Sequence, residues 1–145
     1  MTRRPFISEK EIAALLRTPA DKRRGHLLGQ VADWGGVWCL ADEGRWFFLE
    51  RPGVVKTFPL WPHEPYANAY AVGIGRAGLQ AVPIPLGRWF KEFGELLGGR
   101  PVELFPTASD PGEVMPARRF GDELERALAA YDLSPDDLDV DEGVE

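Results

Sequence analysis

Residues 37–50, Val-Trp-Cys-Leu-Ala-Asp-Glu-Gly-Arg-Trp-Phe-Phe-Leu-Glu, decide the fold of this 145-residue chain. Two runs rich in Val, Trp and Phe flank an Asp-Glu-Gly turn, a pattern that is typical of a β-hairpin. A second turn at residues 51–53 leads into a predicted third strand at residues 54–61, where Pro59 favours a sheet edge or a bulge. We therefore expect a sheet that begins with antiparallel neighbours.

Helical patterns lie on both sides of this hairpin. Ser8 and Glu11 have the spacing of a capping box before a short helix, and a second helix is predicted to end at Gly35-Gly36. Further helices are predicted from residues 62–65 onward, over 86–97 and over 118–131, with strands at 79–85 and 101–105. This order predicts an α+β domain whose mixed, mostly antiparallel sheet has about five strands and packs with four or five helices.

Composition narrows the class of protein. Hydrophobic residues make up 44% and charged residues 28% of the chain, as in a globular domain. No apolar run approaches the ~18–20 residues of a membrane span, and residues 1–5 are not followed by the apolar segment of a secretory signal. The single cysteine, Cys39, cannot form an internal disulfide, which suits a reducing compartment. We expect a cytoplasmic protein.

The net charge of −6 is spread unevenly along the chain. We predict an N-terminal helical extension (residues 1–20), a single α+β domain (residues 21–131) and a mobile tail (residues 132–145) whose charged residues are all acidic. The short basic run at residues 22–24 is interpreted as a solvated helix face. Because an acidic chain repels phosphate backbones, nucleic-acid binding is disfavoured.

Catalytic and metal-binding motifs are incomplete. His26, His63 and Cys39 are too few and too widely spaced for a zinc site, and a cysteine within a strand favours packing over nucleophilic chemistry. The glycines of residues 73–78 match a dinucleotide motif in spacing, but a helix precedes them and a strand follows, the reverse of the required order. The adjacent carboxylates of the first turn do not face each other across a substrate. We therefore predict no enzyme activity, no metal and no cofactor.

One group of residues is typical of a binding site. Trp61 and His63 lie where a predicted strand passes into a helix that contains Tyr66, and Arg88 and Trp89 open the next long helix. Strand-to-helix ends commonly line grooves, and aromatic residues with arginine are enriched in interaction hot spots. The alternative interpretation places the two tryptophans in the core, with the histidine and the arginine on the surface.

Four segments, taken in order, resemble one bacterial family. They are VWCLADEGRW at residues 37–46, FPLWPH at 58–63, VPIPL at 82–86 and VELFP at 102–106. Over residues 24–131 the chain is similar to the domain-of-unknown-function family number 2750. The resemblance implies a small cytosolic protein without an established activity. The Phe-Pro-Leu-Trp segment is also similar, less closely, to the first module of a secretion-enhancer family.

These observations predict a non-catalytic domain that acts by protein–protein contact, in a regulatory or immunity-like role. Its partner would be another protein with a basic surface that meets the acidic tail, and not a nucleic acid or a membrane. The alternative is a small-ligand module, in which Arg88 reads a carboxylate or phosphate within an aromatic groove. Enzyme activity would need a general base held in place by a partner residue, and His63 with the adjacent Glu64 supplies only part of such an arrangement.

Overall fold

The computed structural model describes residues 7–131 and 133, which form five helices and seven strands. The helices are α1 (Glu9–Leu16), α2 (Ala20–Trp34), α3 (Glu64–Gly73), α4 (Leu86–Arg88, Trp89–Phe93 and Gly94–Leu96 in succession) and α5 (Ala117–Ala129). The strands are β1 (Gly36–Asp42), β2 (Arg45–Trp46), β3 (Leu49–Arg51), β4 (Val54–Leu60), β5 (Gln80–Pro85), β6 (Pro101–Leu104) and β7 (Glu113–Pro116). None of the helices in this part of the chain has the length and apolar character needed to cross a membrane.

The strands form two sheets that share one core. The first has the order β2-β1-β5 and is antiparallel, while the second, β3-β4-β6-β7, contains one parallel pair between β4 and β6. Trp38 of β1 and Trp61, just after β4, exchange two backbone hydrogen bonds of 2.8 Å that join the sheets. The predicted α+β class, mixed and mostly antiparallel, is confirmed, with seven short strands in place of about five.

The predicted hairpin is also confirmed, with Ala41 of β1 opposite Trp46 of β2. Residues 45–50, however, form two short strands where one was predicted. Trp61 occupies the edge of β1 at Trp38, so the chain leaves that edge after Trp46 and pairs instead with β4. This switch between sheets leaves the aromatic segment at residues 46–48 only half-buried.

Prolines occupy the outer edge of β5. Trp38 directs its backbone N–H to Trp61, away from β5. In the antiparallel pairing of β1 with β5, the residue opposite it, Pro83, therefore directs its backbone nitrogen away from β1, and Pro85 does the same two residues later. An edge without these N–H donors is a poor template for a further strand. Pro59, predicted to lie at a sheet edge or a bulge, pairs instead with Glu103 of β6 inside the second sheet. Along the other side of the strand it falls between the pairing of β4 with β3 and that of Trp61 with β1.

The first helix begins with the predicted capping box. The backbone N–H of Glu11 donates to Ser8 Oγ at 3.1 Å, and the Ser8 N–H donates to Glu11 Oε1 at 3.2 Å. Partly buried aliphatic residues of α1 pack against the core, so this part of the predicted extension lies on the domain. The predicted acidic tail lies outside the described residues, apart from Leu133.

Arg23 corrects the interpretation of the basic run as a solvated face. Its side chain is fully buried and donates to the carbonyl oxygens of Phe105 (2.8 Å), Thr18 (2.5 Å) and Pro111 (3.0 Å). A fourth bond of 3.1 Å reaches the carboxylate of Asp110. Buried carbonyl oxygens need donors, and the loop after β6 obtains them from this guanidinium.

A buried carboxylate ties the same loop to the second sheet. Glu103 of β6 is fully buried and accepts hydrogen bonds from Arg51 (2.9 and 2.6 Å), the Thr57 hydroxyl (2.7 Å) and the Gly112 N–H (3.0 Å). A buried ionised carboxylate is tolerated only with such partners. Arg23 and Glu103 therefore act as structural clamps on either side of the loop.

Candidate functional site

The structure separates the five predicted site residues into two groups. Trp61 is fully buried, packs against the ring of Tyr70 at 5.1 Å and donates its Nε1–H to the carbonyl oxygen of Pro106 at 2.9 Å. This tryptophan is a core residue, as the alternative interpretation proposes. His63 and Tyr66 lie beside it on the α2–α3 side of the molecule, whereas Arg88 and Trp89 belong to α4.

Both histidines of the chain lie in one cluster around Tyr66. Its ring lies 6.4 Å from that of His63 and 6.3 Å from that of His26. His63 is only 4% exposed, and its Nε2 lies 2.9 Å from Oε1 of Gln30, so Nε2 carries the proton and donates it. The ring of Trp34 packs edge-on against that of His63, with the two ring centroids 5.9 Å apart.

Burial keeps this histidine cluster uncharged near neutral pH. Desolvation lowers the pKa of His63 to about 4, nearby His26 adds to the decrease and Asp33 opposes it. Burial also lowers the pKa of His26, against the attraction of Glu11. The orienting partner of His63 is an amide, which, unlike a carboxylate, does not increase the basicity of the ring. The cluster is therefore arranged for packing and hydrogen bonding rather than for proton abstraction.

Neither thiol chemistry nor a metal centre is built into the described residues. Cys39 is fully buried in β1, and burial raises the pKa of its thiol, which stays protonated and unreactive. Within residues 7–131 and 133, no three His, Cys, Asp or Glu side chains lie close enough together to hold a metal ion.

Trp89 lies in the core and Arg88, its neighbour, at the surface. Residues 89–93 of α4 form a π-helical turn in which Trp89 stacks on Phe93, with ring centroids 5.2 Å apart, and meets the ring of Phe120 at 5.3 Å. Arg88 is half-buried, and its Nε lies 3.1 Å from Oε1 of Glu92. A π turn often marks a functional segment of a helix. Arg88 lies directly before this turn and next to the half-buried ring of Trp46.

Three consecutive half-buried aromatic residues follow the first hairpin turn, and an arginine covers each of them. The pairs, with the distance from guanidinium carbon to ring centroid, are Arg88 on Trp46 (5.9 Å), Arg76 on Phe47 (5.8 Å) and Arg100 on Phe48 (5.3 Å). Each distance is within the range of a cation–π contact, which contributes ~0.5–1 kcal/mol at an exposed site.

Two of these pairs share one surface, which we call the arginine–aromatic face: Trp46, Phe48, Arg88 and Arg100. The rings of Trp46 and Phe48 lie on the same side of the chain because both contact Phe58, at 6.1 and 5.3 Å. Arg88 also lies 5.5 Å from the ring centroid of Phe93, which is fully buried, so its guanidinium contacts the core as well as Trp46. The third arginine, Arg76, is held instead by an ion pair of 2.7 Å with a carboxylate of the first turn.

A cleft of about 830 Å³ separates α4 from α5. Trp89 and Phe90 contribute aromatic surface to it, and Gly94 and Gly121 leave open space along its walls. Its charged lining residues are of both signs: Lys91, Glu95, Arg118, Arg119, Asp122 and Glu125. The predicted site residue Trp89 thus reaches this cleft with one edge.

Three residues of the arginine–aromatic face, Trp46, Phe48 and Arg100, are not among the predicted site residues. Trp46 and Phe48 lie in the aromatic run that predicts the second strand of the hairpin, and Arg100 belongs to no motif. The continuous aromatic run at residues 46–48 was the available signal, because a strand buried on one face alternates apolar with polar residues. Arg100 has no comparable signal, since only the parallel pairing of β6 brings it to Phe48.

Comparison with known proteins gives a family without an assigned activity. No curated protein and no solved structure matches the chain at a significant level. The model of one family matches residues 25–124, which agrees with the resemblance seen over residues 24–131. This match spans more than half of the chain. The chain therefore belongs to the family described as Protein of unknown function (DUF2750).

Proposed function

We propose that this chain is a non-catalytic protein-interaction domain of the cytoplasm, in a regulatory or immunity-like role, and that it contacts its partner through the arginine–aromatic face. The observation that carries the proposal is the placement of Arg88 and Arg100 over half-buried rings, at 5.9 Å from Trp46 and 5.3 Å from Phe48. Tryptophan and arginine are among the residues most enriched in interaction hot spots.

The geometry of this face supports binding better than it supports folding. A ring that is already packed on the core, such as Phe48 on Phe58, is rigid and loses little entropy when a partner covers it. The guanidinium above it presents planar donors that match a carboxylate in a bidentate arrangement. A rigid apolar surface with directed hydrogen-bond donors favours specific binding over non-specific association.

The states of two potentially reactive residues support a non-catalytic role. His63 is neutral and bound to an amide, and the thiol of Cys39 is buried and protonated. Neither arrangement provides the activated nucleophile or the oriented base on which acyl transfer and hydrolysis depend.

The proposal is tested by partner capture with matched variants. The immobilised wild-type chain, the variant Arg88→Gln/Arg100→Gln and the control Arg17→Gln/Arg126→Gln are incubated with native cytosol, and bound proteins are quantified by mass spectrometry. The control removes the same charge from exposed positions on α1 and α5. We expect a partner that the wild type and the control retain and the first variant loses. Equal capture by all three chains would refute the proposed surface.

A small-ligand module is a second candidate, favoured by the cleft between α4 and α5. Its volume of about 830 Å³ is within the ~300–1,000 Å³ of typical ligand sites, and Arg118 and Arg119 supply donors for a carboxylate or phosphate beside Trp89. A calorimetric screen with small dicarboxylates and nucleoside phosphates tests it. Gly121→Leu should block the cleft and abolish binding, while Gly29→Leu, at a comparably open helical glycine on α2, should not. A ligand that binds the Gly121 variant unchanged would exclude this site.

A further inference from the structure

The arginine–aromatic face carries a third cation at its border. Phe58 and Val102 are the first residues paired in the parallel register of β4 and β6, and Lys56 and Arg100 each lie two positions before them in the chain. Lys56 and Phe58 lie on the same side of β4 because side chains alternate along a strand. Since the Phe58 ring contacts Phe48, this lysine extends the face beyond Arg100.

These cations are available to a ligand. Within residues 7–131 and 133, neither Arg100 nor Lys56 forms an ion pair, and both side chains are exposed. Among the described residues Arg88 forms one ion pair, with Glu92 four residues along the helix, whose side chain is 55% exposed. Exposed i, i+4 pairs of this kind contribute little to stability, so a partner's carboxylate can replace Glu92 at small cost.

The two arginines indicate the chemistry of the ligand. Arg88 and Arg100 lie over the rings of Trp46 and Phe48, which are two positions apart in the chain. A guanidinium binds a carboxylate in a bidentate arrangement. In an extended peptide, side chains at positions i and i+2 point the same way about 7 Å apart, so one segment can present two carboxylates to this face and apolar side chains to its rings.

We propose that the arginine–aromatic face binds an extended acidic segment of a partner protein, with carboxylates on Arg88 and Arg100. The inference rests on the proposed function and specifies the chemistry of the partner. The net charge of −6 repels a short acidic peptide less than a polyphosphate, because the peptide carries fewer negative charges. The basic partner surface expected for the acidic tail concerns another part of the chain and stays a separate prediction.

The test uses the full chain and a fluorescein-labelled peptide of alternating aspartate and valine, with a lysine–valine peptide as its control. Fluorescence anisotropy is measured at low and at moderate salt. We expect the aspartate peptide to bind, and its affinity to fall with salt because the contacts are near the surface. Arg88→Gln/Arg100→Gln should weaken binding by about tenfold or more, since charge-assisted hydrogen bonds are lost. The charge-matched Arg17→Gln/Arg126→Gln should stay within about twofold.

A charge reversal makes the result independent of any loss of folding. Arg88→Glu/Arg100→Glu should release the aspartate peptide and bind the lysine peptide more tightly than the equally charged control Arg17→Glu/Arg126→Glu does, while the circular-dichroism spectra of both variants match that of the wild type. The inference is overturned if the wild type does not bind the aspartate peptide, if the control variant loses as much affinity as the Gln variant, or if an oligothymidine binds more tightly than the peptide. Should partner capture depend on the face while the aspartate peptide fails to compete, the acidic chemistry is wrong and the interaction function stands.

Discussion

Lowering the pH should destabilise the fold through His63 before most carboxylates titrate. The side chain is 4% exposed, and burial lowers its pKa from 6.5 to about 4. In the unfolded chain the ring is in water and binds a proton below about 6.5, while in the folded chain it stays neutral down to about 4. The stabilising contribution of the neutral ring is therefore complete above pH 6.5 and is lost as the pH falls toward 4.

The magnitude follows from the difference between the two pKa values. Each pH unit inside the window from 6.5 to about 4 changes the free energy of unfolding by about 1.4 kcal/mol, so the loss approaches about 3 kcal/mol across it. A domain of this size has a total stability of about 5–15 kcal/mol, and the effect is readily measured. The pKa of His26 is lowered too, which adds to the loss in the same direction.

The assay is urea unfolding, followed by tryptophan fluorescence at a series of pH values across this window. The quantity compared is the slope of the free energy of unfolding against pH for the wild type and for His63→Gln. Glutamine does not titrate and can keep the hydrogen bond to Gln30, so the variant should lose most of the slope. His26→Gln should lose a smaller part, because that ring is only half-buried. Equal slopes for the wild type and His63→Gln would show that the ring is not held neutral by burial.

Three further predictions concern the framework. Glu103→Ala removes a fully buried acceptor and should lower the free energy of unfolding by about 3–5 kcal/mol in urea titrations. The control Glu92→Ala, in an exposed ion pair, should change that free energy by less than about 0.5 kcal/mol. Gly112→Ala should be severely destabilising in thermal melts because its Cβ would overlap the carbonyl oxygen of Leu104. Gly94→Ala, in open helical space, should stabilise by up to about 1 kcal/mol, and the opposite order would contradict the backbone geometry. Cys39 should resist a thiol reagent in the native state and react only at the rate of unfolding, so rapid labelling would show that the strand opens locally.

The sequence predicts this fold well where the pattern is local. The hairpin needs only a turn at Asp42-Glu43-Gly44 between two apolar runs, and the first helix needs only Ser8 and Glu11. Both depend on residues within a few positions of each other. The split of residues 45–50 into two strands is not predictable in this way, because its cause is a pairing between Trp38 and Trp61, more than twenty residues apart.

The buried charges show the same limit. Helical spacing places Arg23 in line with the buried Leu27 and Val31, but an arginine in a basic run is ordinarily assigned to the solvated face. Its burial depends on carbonyl oxygens more than eighty residues away, at Phe105 and Pro111. Glu103 lies in an alternating strand pattern that predicts an outward, solvated carboxylate; Arg51 and Gly112 instead enclose it. Long-range hydrogen bonds override a local preference for solvent.

The sequence by itself determined the α+β class, the hairpin and the family, because these depend on local turn residues and on the order of apolar segments along the chain. It also determined that aromatic residues and Arg88 belong to a candidate site. Only the tertiary structure decided where that site is. Trp61 and Trp89 point into the core, and Arg88 instead joins Arg100 over the rings of residues 46–48. The physical reason is the switch of the chain between two sheets, which leaves three aromatic rings half-buried and brings distant arginines to cover them.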